Sequence, residues 1–358
     1  MSGLRYAIGS YEFHPEEFFP RALFDQITET RVNRPEAIAA EAAARQRRET
    51  LTAEGRLVIL AADHPARMVL GVGDDPTAMG NRWHLLARIL RVITAAEFDG
   101  VMATPDIIEE LLVVNHLEKR LGGQGFLDHR VLLGCMNRGG LSGAVFELDD
   151  RMTGYTPEGI AAMRLDGAKV MFRLDPAAPE SLSTIDYCVG AINACHARGI
   201  PVFLEALYVE RSGGKIKMVQ EADALIKVVS VATGLGTSTA LTWLKIPYCQ
   251  GFDRVARATT CPILMLGGEA RGDPTGILEE FAAGMRAGAS VRGALVGRNV
   301  TFPGKDDPRA VALAVSGIVH GGLSAQEAAD RLAEARGQEM DRFTRLLGPG
   351  VRSGAARG

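Results

Sequence analysis

The sequence lacks the marks of several protein classes, and each absence narrows the field. Its five cysteines, Cys135, Cys188, Cys195, Cys249 and Cys261, are odd in number, scattered, and form no C-x-x-C pair. That usage argues against a disulfide scaffold and fits reduced thiols acting as small core residues in a cytoplasm. No apolar run approaches the ~20 residues of a membrane-spanning helix. A net charge of -3 and a pI near 6.2 leave no basic footprint for nucleic acid. The seven histidines are dispersed, with no H-x-x-x-H or H-E-x-x-H pattern, so no metal set emerges. The opening "MSGLRYAIGSYEFHPEEFF" has neither a basic n-region nor a continuous apolar stretch, so no secretory signal is expected. What remains is a cytoplasmic protein of 358 residues, without metal or cofactor, whose partner is a small polar molecule.

With 47% hydrophobic residues, the chain has enough apolar material for a large core. Residues 1–53 read as a helical N-terminal extension. "RPEAIAAEAAARQRRETL" is alanine-rich and charged, and "YEFHPEEFFPRALFDQI" carries more aromatic surface than a free extension would expose. That surface is expected to pack on the body of the protein or on a neighbouring subunit of a homo-oligomer. From Arg56 onward short β-type runs alternate with helical patterns, and eight strands are predicted. They are Leu57 to Asp63, Gly100 to Thr104, Val131 to Met136, Ala168 to Leu174, Pro201 to Tyr208, Leu241 to Tyr248, Pro262 to Leu266 and Gly293 to Gly297. Eight βα units across residues 54–345 give the count and size of a (β/α)8 TIM barrel, an α/β fold. A doubly wound sheet would usually carry a glycine-rich turn after its first strand, and "AADHPARM" is not one. The tail, 346–358, reads as flexible.

Four of these apolar strands carry an ionisable residue among apolar neighbours: Asp63, Lys169, Glu205 and Lys245. A charge in a strand covered on both faces loses its hydration unless something compensates. Glu205 and Lys245 are each fifth in their predicted strands, so they sit at similar height. Asp63 lies nearer the barrel mouth and Lys169 deeper. Two lysines and two carboxylates on separate strands of one barrel make a mutually compensating interior site, or a structural ion-pair network. An ordinary lysine is neutral in about one molecule in 2,500 at pH 7. Burial beside a second cation lowers its pKa and yields the nucleophilic amine that Schiff-base chemistry needs.

Strand seven ends in Gly267 and Gly268, and strand eight in Gly297 and Arg298. Loops after these two strands are the recurrent phosphate site of the fold, where glycine permits close backbone approach and a guanidinium grips the anion. His64, at the end of strand one, either lines the site or is structural, and Asn137 and Arg138, at the end of strand three, either contact substrate hydroxyls or cap the next loop.

These motifs resemble the class I aldolase family that includes deoxyribose-phosphate, tagatose-bisphosphate and bacterial fructose-bisphosphate aldolases. The likeness runs over roughly residues 55 to 305. It is carried by "AADHP", "GAKVMFRLD", "IPVFLEALYVE", "WLKIPY" and "GRNV". The resemblance implies that Lys245 forms the imine and Glu205 acts as acid and base. Asp63 and Lys169 would assist the carbinolamine steps, with Gly268 and Arg298 holding phosphate. His64 departs from the glutamine common in the tagatose-bisphosphate branch, and the "GGEARGD" loop also differs. The chain is similar to a bacterial subgroup associated with myo-inositol breakdown, which implies cleavage of 2-deoxy-5-keto-gluconate 6-phosphate with release of dihydroxyacetone phosphate. The reading from a different class is a barrel that binds a sugar phosphate without turnover and regulates a partner.

Overall fold

The computed structural model describes residues 3–347, so the expected tail lies outside the described residues from 348 onward. Eight parallel strands close into a barrel with helices between them, a (β/α)8 TIM barrel. They are β1 (Leu57–Ala61), β2 (Gly100–Ala103), β3 (Val131–Cys135), β4 (Gly167–Leu174), β5 (Val202–Ser212), β7 (Thr242–Pro247), β8 (Ile263–Leu266) and β9 (Val291–Val296). The ring runs β4-β3-β2-β1-β9-β8-β7-β5, and pairing of β4 with β5 closes it.

Strand residues alternate between two cores, as the period of a strand demands. Leu57, Ile59, Met102, Val131, Leu133, Cys135, Phe203, Leu264 and Leu295 fill the inside of the barrel, with Trp243 stacked on Phe203 at 5.7 Å. Their outward neighbours, among them Val58, Leu60, Leu132, Leu204 and Leu244, pack against the helices. The sequence pattern therefore reads as continuous apolar runs, because both faces are covered.

One further strand departs from the eight predicted. β6 (Lys215–Met218) returns antiparallel on the far end of β5, and the pairing of Ser212 with Lys215 leaves Gly213 and Gly214 as a two-residue turn. Both glycines have positive φ, 60° and 76°, which this hairpin turn requires. The hairpin rises past the barrel rim, so its polar "ERSGGKIKM" lacks the apolar run that marks the buried strands.

The N-terminal segment packs on the barrel's outer helices. Helices Arg21–Asn33 and Glu36–Ala44 both lie against Pro105–Arg120. Phe18 and Phe19 are fully buried and meet Phe343 edge-on at 5.3 and 5.4 Å. The helix predicted to continue through "RQRRETL" stops at Ala44. The cause is tertiary capture at the N-terminal end of the strands, which overrides the helical preference of alanine and arginine. The Arg45 guanidinium, wholly buried, donates to the carbonyls of Arg130 and Arg164 and to Asp166. Arg47 also binds Asp166, and Arg48 binds Asp99 at 2.8 Å. Asp99 and Asp166 in turn accept the backbone N–H groups of Val58 and Leu132, so the strap fixes strand ends directly. Leu51 follows and packs against the barrel interior.

Candidate active site

Continuing the inward alternation toward the C-terminal ends of the strands replaces apolar residues with charged ones. Ile59 and Ala61 lead to Asp63, while Phe203 leads to Glu205 and Trp243 to Lys245. Lys169 is in register with two interior residues, Cys135 and Phe203, and therefore also points inward. Glu205 and Lys245 are direct register partners, one inward step nearer the mouth than Lys169.

These four side chains converge. Glu205 bridges the two amines, with Oε1 2.8 Å from Lys245 Nζ and Oε2 2.7 Å from Lys169 Nζ. Lys169 Nζ also donates to Asp63 Oδ2 at 3.1 Å, and the same carboxylate pairs with Arg138. The Cys135 thiol lies 3.5 Å from Asp63 Oδ2. Each buried charge thus has an opposite charge in contact, which is what makes such a cluster tolerable inside a barrel.

Burial pushes both lysines down to about 8. For Lys245 the Glu205 carboxylate works against the shift and Lys169 reinforces it. For Lys169 the Arg138 guanidinium reinforces it and Glu205 opposes it. Burial alone would raise Glu205, but the two lysines hold it well below the usual carboxylate range. A lysine at about 8 is neutral in about one molecule in ten at pH 7. The cluster therefore combines a carboxylate that favours its ionised form with amines that lose a proton readily.

A cavity of about 770 Å³ opens over this cluster. Asp63, Glu205 and Lys245 form part of its wall, whereas Lys169 is not in the wall and is fully buried. Across the mouth, Gly267, Gly268, Gly297 and Arg298 line the side formed by β8 and β9. Gly268 is in the left-handed region at φ 71°. A Cβ at Gly297 would stand 2.5 Å from His64 Cε1, so glycine there lets the imidazole reach the wall. Asn299 clamps the two loops by donating to the Gly267 carbonyl. Arg298 Nε is buried without a hydrogen-bond partner among the described residues. His64 also lines the cavity and is held neutral, its pKa lowered well below the ordinary value by burial and by the Arg298 and Lys245 cations.

A family match accompanies this geometry. The family described as Cgl0159-like matches residues 55–316. The crystal structure of Cgl0159 from Corynebacterium glutamicum is 35% identical, covers 85% of this chain and 99% of that one, and superposes with a TM-score of 0.79. The chain belongs to the Cgl0159-like family. This Cgl0159-like chain also shares its fold with an archaeal fructose 1,6-bisphosphate aldolase, at 19% identity, 80% and 100% coverage and a TM-score of 0.54. A fructose-bisphosphate aldolase from Slackia heliotrinireducens matches at 14% identity, 90% and 96% coverage and 0.57. No curated protein matches the chain.

In this Cgl0159-like barrel a second expected residue, besides Lys169, does not reach the cavity. Asn137 is fully buried with its amide spent on the backbone of Met171, donating to the carbonyl at 2.6 Å and accepting from the N–H at 2.7 Å. It ties the end of β3 to β4, while its neighbour Arg138 takes the place at the wall. Sequence reasoning also missed Arg67, Glu147 and Arg173, which line the same cavity. Arg173 was legible in principle, being two inward steps beyond Lys169 on β4. Arg67 lies in a single 3-10 turn, Pro65–Arg67, and Glu147 in irregular chain, where no periodicity marks the inward side.

Proposed function

We propose that this protein is a class I aldolase that cleaves a phosphorylated ketose or keto-sugar acid through a Schiff base on Lys245. The observation that carries the reading is the division of labour between the two lysines. Lys245 lines the cavity with a single anionic partner, whereas Lys169 is sealed behind it and holds Asp63 and Glu205 together.

The neutral amine of Lys245 attacks the substrate carbonyl carbon, and the carbonyl oxygen takes up a proton to give a carbinolamine. Protonation of that hydroxyl, with Glu205 as the proton carrier between the two lysines, lets water leave and forms the iminium. A carboxylate, Asp63 or Glu205, then removes the proton of the hydroxyl on the carbon β to the iminium. The C–C bond breaks, its electrons moving into the iminium as an enamine and the departing half leaving as an aldehyde. Protonation of the enamine and addition of water release the ketone half and return the amine.

Arg298 with Gly267, Gly268 and Gly297 supplies the phosphate end, making the ketone product dihydroxyacetone phosphate. The finer proposal for the substrate is 2-deoxy-5-keto-gluconate 6-phosphate, whose aldehyde product is malonic semialdehyde. A cytoplasmic setting agrees with five free cysteines. Screening sugar phosphates with a coupled assay for dihydroxyacetone phosphate tests the reading. Release that persists in excess chelator is expected. Absence of release from every phosphorylated ketose and keto acid tried would favour the regulatory binder.

A further inference from the structure

The proposed chemistry uses Asp63, Lys169, Glu205, Lys245 and the phosphate loops, yet a second cationic wall of the cavity remains unassigned. It is built by Arg67, in the short turn after β1, Arg138, just beyond β3, and Arg173, at the end of β4. Arg67 and Arg138 are more than nine-tenths buried, with relative exposures of 6% and 7%. Arg173 is anchored, pairing with Glu147 and Asp150 and donating to the Gly140 carbonyl. The other two are only half used. Arg67 donates through Nη2 to Gly140, leaving Nη1 buried without a partner among the described residues. Arg138 meets Asp63 through Nη2, leaving Nε and Nη1 buried and likewise without partners among the described residues.

Buried guanidinium N–H groups without acceptors are costly, and a cavity wall that holds several of them is complete only when a ligand supplies the oxygens. The ring order places this wall. In an eight-strand barrel the third and fourth strands stand across from the seventh and eighth, so β3 and β4 face β8 and β9. Arg67 leans to the β3 side through its bond to Gly140. The cavity thus has two cationic ends, Arg298 on one side and Arg67 with Arg138 on the other, and Lys245 stands in the wall between them.

We infer that the substrate carries a second anionic group at the end remote from its phosphate, held by the free N–H edges of Arg67 and Arg138. A carboxylate and a second phosphate share the required chemistry of oxygen acceptors in a fork. The three guanidiniums already face Asp63, Glu147 and Asp150, which favours a singly charged terminus. This inference deepens the aldolase reading and rests on Arg298 as the phosphate end.

Three open-chain ligands without a carbonyl test it apart from any imine: glucitol 6-phosphate, gluconate 6-phosphate and glucitol 1,6-bisphosphate. Calorimetric titration of the full chain is expected to show at least one doubly anionic ligand bound about tenfold or more tighter than glucitol 6-phosphate. Tighter binding of gluconate 6-phosphate identifies a carboxylate; tighter binding of the bisphosphate identifies a second phosphate. In Arg67→Leu the ratio should fall toward one. If that variant does not fold, Arg67→Lys, which keeps the charge and loses the fork, should retain only part of the preference. Equal affinity of the native chain for all three ligands overturns the inference, as does no measurable binding, at about 10 mM, of either ligand with an anionic group at both ends. A failure of the phosphate reading looks different: Arg298→Ala would leave glucitol 6-phosphate binding unchanged. A failure of the Schiff-base reading would not appear in these titrations at all.

Discussion

Replacing Lys169 by methionine tests how the buried cluster sets the reactivity of Lys245. Methionine keeps most of the side-chain volume, and neither carboxylate is stranded, since Asp63 keeps Arg138 and Glu205 keeps Lys245. The two amines contact opposite oxygens of one carboxylate, at 2.7 and 2.8 Å, which sets them about 5 Å apart. At that separation and an effective dielectric of about 20, two unit charges repel by about 3 kcal/mol, or about two pKa units. Removing Lys169 also leaves Glu205 to Lys245 alone, which acts in the same direction. The Lys245 pKa should therefore rise from about 8 toward its ordinary 10.5. Its neutral fraction at pH 7 would fall from about one in ten to about one in a thousand, slowing imine formation roughly 30- to 100-fold. By about pH 10 the deficit due to protonation should shrink to about two- to fourfold, because the amine is then almost wholly neutral in the native protein and about a quarter to a half neutral in the variant. The assay is the rate of borohydride-trappable imine formation from pH 6.5 to 10, with a thermal melt to confirm folding. A variant profile with an apparent pKa at or below that of the native protein would refute the reasoning.

Three further outcomes are expected. Arg298→Ala should weaken binding of a phosphorylated substrate by about 10- to 150-fold, and its unphosphorylated counterpart far less, as read from KM or calorimetry. Asn137→Ala should leave the Met171 N–H and carbonyl unmet in the interior and lower stability by about 2–4 kcal/mol in a denaturant titration, and a change confined to KM would instead make Asn137 a substrate ligand. Arg45→Ala strips the strap of its buried guanidinium and should cost about 3–5 kcal/mol of unfolding free energy, and a loss below about 1 kcal/mol would show that the strap is ornamental.

The barrel was legible in the sequence because its strands are covered on both faces and read as short apolar runs, four of them broken by charges that lie in the cavity wall or just behind it. The equal height of Glu205 and Lys245, inferred from strand position, is the register of β5 with β7. Lys169 lies deeper for the same reason, being level with Phe203. Other features left weaker traces. The hairpin of β5 and β6 offered its Gly-Gly turn, but β6 and the far end of β5 lack an apolar run because they stand above the core. The end of the alanine-rich helix at Ala44 depends on carbonyls and carboxylates far along the chain, so local propensity pointed the other way. Arg138 was legible beside Asn137 at the end of strand three, whereas Arg67 comes to the same wall only through folding, and nothing local separates it from the chain's many surface arginines. Asn137 looked like a ligand because a polar residue at a strand end reads alike whether it faces a cavity or binds a neighbouring strand.

The central claim is that Lys245, and not Lys169, becomes covalently bound to substrate. Incubating the protein with dihydroxyacetone phosphate and borohydride, followed by peptide mass mapping, decides it. The account predicts one stable reduced adduct, on the peptide bearing Lys245, absent from Lys245→Ala. An adduct on Lys169, or full turnover by Lys245→Ala, would contradict it.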